Sequence, residues 1–154
     1  MSKPRFDWWG HIKNVIRAYP DLKKEYEDLH TQSITATTSG MPGSSNVSRG
    51  TEEIALRELP RPKQIRYCSV KNAIEVTERL KTGNDRLKLI QVAYWRNKNV
   101  TLAGAAIEIN VSYETAVSYH RDFVMLVAYF KGEISYEDLT DFQKITLKSQ
   151  KNVL

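Results

Sequence analysis

Apolar residues recur at three- and four-residue steps along most of this chain. The first stretch places Trp8, Trp9, Ile12 and Ile16 on one helical face, before Pro20 breaks or kinks the pattern. Residues three and four apart share one side of an α-helix, so this spacing predicts helices. No stretch alternates apolar and polar residues between hairpin turns. We therefore predict an all-α fold.

The pattern divides the chain into three parts. Residues 1–31 form an aromatic helical arm for packing or oligomerisation, and residues 32–50 form a flexible loop rich in Ser, Thr and Gly. Residues 51–154 form a helical domain, which starts with a short helix capped by Thr51.

Local signals set further helix boundaries in this domain. Pro62 can open a long helix, which Gly83 would close in the left-handed conformation, and Asn84 would cap the next helix. A capping-box pattern from Thr140 to Gln143 opens a last helix that carries Phe142, Ile145 and Leu147.

The segment 101–120 is the most specific part of the sequence, because it predicts two helices joined by a tight turn. Thr101 can cap the first helix and Ser112 the second. Asn110 stands where a left-handed residue ends a helix, and Asn is the best substitute for Gly there. One face of the first helix is apolar and consists of Leu102, Ala105, Ala106 and Ile109.

The second helix of this pair has two different faces. We predict an inward face of Ala116, Tyr119, His120 and Phe123. The outward face, which we predict to contact DNA, consists of Tyr113, Glu114, Val117, Ser118 and Arg121. The apolar period continues through Phe130, so the helix should run on until Lys131 and Gly132 stop it.

Composition agrees with a polyanionic partner. The 154 residues include 23 Lys and Arg against 18 Asp and Glu, for a net charge of +5. One cysteine, Cys68, excludes an intramolecular disulfide framework. With no signal sequence or membrane-spanning run in the pattern, we predict a cytoplasmic protein without membrane contact.

Catalytic constellations are missing from the sequence pattern. The three histidines are spread along the chain without zinc-ligand spacing, and the glycines around Gly40 lack the ending of a phosphate-binding loop. Cys68 has no activating histidine nearby in sequence. We predict that the protein is not an enzyme and uses no metal or cofactor.

Several residues of the predicted pair match a known DNA-binding pattern. The segment resembles region four of bacterial sigma factors and similar response-regulator domains at Thr101-Leu102, Ala106, residues 109–112 and Thr115-Ala116. It departs from them at Asn110, where Gly is usual, and at Ala105, where a larger aliphatic residue is common. We expect a sigma-region-four-like helix-turn-helix at 101–121 with an extended recognition helix.

The order of segments over most of the chain resembles the RinA/ArpU group of phage late-gene regulators. The shared features are Ala18-Tyr19-Pro20, residues 26–29, a polar loop, Thr51-Glu52, residues 73–75 and Tyr94-Trp95 before the hairpin. The resemblance implies a phage or prophage transcriptional regulator that binds double-stranded DNA upstream of late genes, activates them and contacts host RNA polymerase.

The side chains predicted to contact DNA suit different groups of the double helix. Arg121 can pair with a guanine edge or a phosphate, Ser118 and Glu114 with donor or acceptor edges, and Val117 with a thymine methyl. The predicted phosphate contacts are Arg96, Lys98 and Thr101, and the first-turn residues Ser112 and Thr115 complete the predicted DNA-binding set.

Three alternatives remain open at the level of sequence. The pair of helices can be a structural hairpin in a helical bundle. The chain can be a small terminase subunit that binds packaging-site DNA, or a helical adaptor that binds protein through its aromatic N-terminal face. A homodimer through the N-terminal helices would suit a promoter with paired half-sites.

Overall fold

The computed structural model describes residues 7–38, 59–96 and 100–151, and the part it describes is helical without any strand, which confirms the all-α prediction. The α-helices are α1 (Trp9–Thr38), α2 (Arg61–Glu78), α3 (Gly83–Ile90), α4 (Leu102–Glu108), α5 (Tyr113–Lys131) and α6 (Asp141–Lys151). A π-helical turn, Gln91–Trp95, extends α3, and a 3₁₀ turn, Tyr136–Asp138, precedes α6. The helix predicted at Thr51 lies outside the described residues.

Helix α1 is longer and less interrupted than its sequence indicates. It continues through Pro20 and beyond Gln32, where we expected the loop to begin, as far as Thr38. Adding a residue to an existing helix forms one hydrogen bond for each residue fixed, and Ser and Thr are only modestly poorer helix formers than Ala. A polar stretch can therefore prolong a helix whose earlier turns are packed.

The apolar residues form two clusters. The larger one joins α1, α2 and α5 and includes Ile12, Ile16, Val70, Phe123 and Val127, so the N-terminal segment is packed into the body of the protein. The smaller one lies under α4 and consists of Leu89, Val92, Ala105, Ala106 and Ala116. Alanines let α4 and α5 approach closely. Helix α5 contributes to both clusters.

Gly83 has a different role from the predicted one. It does not end a helix in the left-handed conformation but opens α3, and a Cβ on it would lie 2.4 Å from the carbonyl oxygen of Thr77. The close approach of backbone to backbone is what requires glycine here. Asn84 does not cap α3 either, because the N-cap residue is Thr82.

Two other predicted helix ends are confirmed. Gly132 ends α5 with φ of 88°. The capping box of α6 is complete: the backbone N–H of Thr140 donates to Oε1 of Gln143 at 3.0 Å, and that of Gln143 donates to Oγ1 of Thr140 at 3.3 Å.

Candidate nucleic-acid interface

Helices α4 and α5 form the predicted hairpin, and their first turns are capped as expected. Oγ1 of Thr101 accepts a hydrogen bond from the N–H of Gly104 at 3.1 Å, and Oγ of Ser112 accepts one from the N–H of Thr115 at 3.2 Å. These bonds satisfy amide groups that a helix start leaves without a partner. The sequence placed both caps correctly.

The turn between α4 and α5 is closed by backbone hydrogen bonds. Asn110 is left-handed with φ of 61°, as predicted. Its N–H donates to the carbonyl of Ile107 at 3.1 Å, and the N–H of Val111 donates to that of Ala106 at 3.0 Å. This pair of bonds is the Schellman arrangement of a helix C-terminus. With Val111 packed on the small cluster, the turn holds α5 in a fixed position on α4.

The outward face of α5 is accessible over its first turns. Tyr113, Glu114, Ser118 and Arg121 are exposed and Val117 is half-buried. The opposite face packs inward as predicted, with Ala116 and Phe123 buried and with Tyr119 and His120 half-buried. Thr115 is half-buried, and its Oγ1 accepts a hydrogen bond from the hydroxyl of Ser112 at 2.8 Å.

The outward face also lines a depression that the sequence did not reveal. Its volume is about 440 Å³. Glu114, Val117, Ser118 and Arg121 form one wall, and Arg86, Asp122, Thr140 and Phe142 complete the lining. Thr140 directly precedes α6 and Phe142 lies in its first turn, so the start of α6 stands beside the outward face of α5. No local pattern predicts which helix flanks another across the fold.

A buried ion pair fixes this wall. Arg86 is 9% exposed, and its Nη1 lies 2.8 Å from Oδ2 of Asp122. The guanidinium also lies over the rings of Tyr119 and Phe142, with 4.4 and 5.0 Å to the ring centroids. Oδ1 of Asp122 accepts a hydrogen bond from Nε2 of Gln143 at 3.1 Å. One cation and one carboxylate thus connect α3, α5 and α6.

The residues predicted to contact phosphate lie at the entrance to the hairpin. Arg96 follows the π-helical turn, is exposed, and forms an ion pair with Glu108 of α4. Thr101 is exposed as well as being a helix cap. Lys98 lies outside the described residues. Glu108 is therefore a competitor for any phosphate that Arg96 would bind.

His120 lies on the inward side of α5, half-buried against Tyr94 of the π-helical turn and Trp9 of α1. Its ring stacks on Tyr94 at 5.6 Å between centroids and is hydrogen-bonded to the Tyr94 hydroxyl. Burial, with a smaller contribution from the charge of Lys13, lowers the pKa of His120 to about 4. The imidazole is therefore neutral at pH 7 and has no charge to offer a phosphate.

Two further properties concern only the described residues. They contain no group of three or more His, Cys, Asp or Glu side chains placed to hold a metal ion. Nor do they contain a helix with the length and apolar character needed to cross a membrane.

Comparison with known proteins gives no relative: no family model, curated protein or solved structure matches the chain.

Proposed function

We propose that this chain is a sequence-specific DNA-binding protein of a phage or prophage, and that it regulates late-gene transcription. The first turns of α5 would enter the major groove of double-stranded DNA as the recognition helix of a sigma-region-four-like helix-turn-helix. The observation that supports this is the exposed polar face of α5, held on α4 by a closed turn and two helix caps.

The side chains on that face suit base edges. Arg121 has donors for a guanine edge or a phosphate, Ser118 and Glu114 offer polar groups, and Val117 offers a methyl contact. Arg96 and Thr101 flank this face at the start of the hairpin, where phosphates would run. Host RNA polymerase would be a partner of the bound regulator, as the RinA/ArpU resemblance implies.

Packing favours the DNA proposal over a protein adaptor that uses the aromatic face of α1. Ile12, Ile16 and Tyr19 are buried, and Trp8 and Trp9 pack against the large cluster. Most of that face is already covered by the protein itself, with Trp8 and Trp9 half-buried, whereas the polar face of α5 is accessible.

The direct test compares Arg121→Ala with Arg66→Ala on fragments of the source genome at one fixed salt concentration. Arg66 is exposed on α2, so both variants lose one positive charge. Loss of a base contact should weaken binding of the selected fragment by about 1–3 kcal/mol, roughly 5- to 150-fold, and reduce the preference over scrambled DNA. Arg66→Ala should bind nearly as wild type. Equal behaviour of the two variants would remove Arg121 from the reading surface.

Selection of bound genomic fragments separates regulation from packaging. A regulator should enrich a region upstream of late genes, whereas a small terminase subunit should enrich a packaging site. Failure to retain any fragment even at low salt, where phosphate contacts are strongest, would contradict DNA binding altogether.

A further inference from the structure

Helix α6 buries two polar side chains and exposes two of its three large apolar ones, while the third, Leu147, packs on the large cluster. Gln143 and Thr146 are 1% and 5% exposed, whereas Phe142 and Ile145 are 46% and 66% exposed. A surface helix ordinarily shows the reverse arrangement. The buried polar groups have partners: Gln143 donates to Asp122, and Oγ1 of Thr146 donates to the carbonyl of Phe142 at 2.8 Å. The bond of Thr146 lies within α6, whereas the bond from Gln143 to Asp122 joins α6 to α5 and holds its polar side inward.

The exposed side of α6 carries opposite charges at its two ends. Asp141, Ile145 and Lys148 are exposed at steps of four and three residues, and Phe142 is exposed three residues before Ile145; we call these four residues the α6 strip. Asp141 lies at the N-terminal end and Lys148 at the C-terminal end, with the apolar pair between them. Lys144 leans away from the strip towards Glu137, at 3.8 Å.

We propose that the α6 strip is a self-association surface on which the α6 of a second copy docks antiparallel. A two-fold axis beside Ile145 would place the apolar residues of both copies together. It would also bring Asp141 of each copy towards Lys148 of the other, so that two opposite-charge contacts form. A parallel arrangement would instead place like charges of the two copies next to each other. The charge order therefore selects a second, antiparallel copy as the occupant.

The predicted interface is small. A pair of short helices buries less than the roughly 1,200 Å² of a stable complex, so the dimer should be reversible and form only at high protein concentration. Two copies held on adjacent half-sites would have a raised effective concentration and associate more readily. That last step rests on the proposed function, whereas self-association in free solution does not.

Sedimentation equilibrium without DNA tests the apolar part of the surface. The wild-type chain should show a weight-average mass that rises reversibly above the 17.7 kDa of one chain as concentration increases. Ile145→Gln should abolish this rise, while Ile107→Gln should not, since Ile107 is 81% exposed on α4 and lies outside the strip. A constant monomer mass for wild type, or unchanged association of Ile145→Gln, would overturn the proposal.

Charge variants test the antiparallel arrangement. Asp141→Lys and Lys148→Glu should each associate more weakly than wild type, because each homodimer would contain two like-charge contacts. An equimolar mixture should recover association, since its heterodimer contains only opposite-charge contacts. Thermal melting of each variant followed by circular dichroism verifies that α6 remains folded. A mixture of folded variants that associates no better than its components would rule out the antiparallel pairing.

Discussion

At the scale of single residues, Trp95 compensates for a defect that Pro20 creates. Pro20 lies inside α1 and has no N–H, so the carbonyl of Ile16, four residues earlier, loses its helical donor. The indole Nε1 of Trp95 donates to that carbonyl at 2.8 Å. Ile16 is fully buried, so water does not satisfy the carbonyl instead. The hydrogen bond joins α1 to the π-helical turn and lets α1 continue through the proline.

A double-mutant cycle measures this compensation. Trp95→Phe should lower the free energy of unfolding by about 1–3 kcal/mol, because it leaves a buried carbonyl without a donor. In a Pro20→Ala background, residue 20 has its own N–H for the same carbonyl, so the cost of Trp95→Phe should fall by about 1 kcal/mol. Urea unfolding of the four proteins gives the coupling. If Trp95→Phe lowered the free energy of unfolding equally in both backgrounds, the indole of Trp95 would not be replacing the N–H that Pro20 lacks.

His120 should make the fold sensitive to mild acid. Its pKa is about 4 in the folded protein against 6.5 for the free side chain, so the unfolded chain binds a proton more readily between these values. The contribution to stability is complete above pH 6.5 and is lost as the pH falls towards 4. From pH 7.5 to 5 the loss should be about 2 kcal/mol. Urea unfolding of the wild type at pH 7.5 and pH 5 should show this loss of stability, and His120→Gln should lose less between the same two pH values. Equal losses in the two proteins would exclude His120 as the cause.

At the scale of elements, α6 is attached through a side chain that makes two bonds at once. Oε1 of Gln143 closes the capping box with Thr140, and its Nε2 donates to Asp122. Gln143→Glu keeps the acceptor for the cap but replaces the donor with a second carboxylate. We expect a loss of about 2–3 kcal/mol in the free energy of unfolding at pH 7.5.

The pH dependence of this variant provides its internal control. At lower pH the new carboxyl group would bind a proton and regain a donor for Asp122. The difference in stability between Gln143→Glu and wild type should therefore shrink between pH 7.5 and 5. A difference that stays constant with pH would mean that the bond to Asp122 contributes little to holding α6.

Elements whose ends depend on neighbouring residues were predictable, and those that depend on distant contacts were not. Thr101, Asn110 and Ser112 occupy the predicted positions because a cap or a left-handed turn is a property of a few consecutive residues. The predicted role of Gly83 was wrong, because glycine is required there by the nearby carbonyl of Thr77, which belongs to another helix. The outward face of α5 was likewise predictable, whereas the placement of Phe142 beside it follows from tertiary packing.

At the scale of the whole molecule, α5 connects the hairpin to the body. Its first half belongs to the small cluster through Ala116, and its second half to the large one through Phe123 and Val127. No flexible joint separates these halves, since α5 is one helix from Tyr113 to Lys131. The outward face of the hairpin is therefore held in a fixed position relative to the packed body.

The distribution of charge over the molecule gives a last prediction, which rests on the proposed DNA contact. Glu108→Gln would release Arg96 from its ion pair for a phosphate. Glu75→Gln is the matched control, because Glu75 is exposed on α2 and both changes raise the net charge by one. Glu108→Gln should bind double-stranded DNA several-fold more tightly and steepen the dependence of log K on log salt by up to about 0.9, as one added phosphate contact does. Salt titrations of binding to one fragment measure both effects. Identical titrations of the two variants would show that Glu108 does not compete with a phosphate for Arg96.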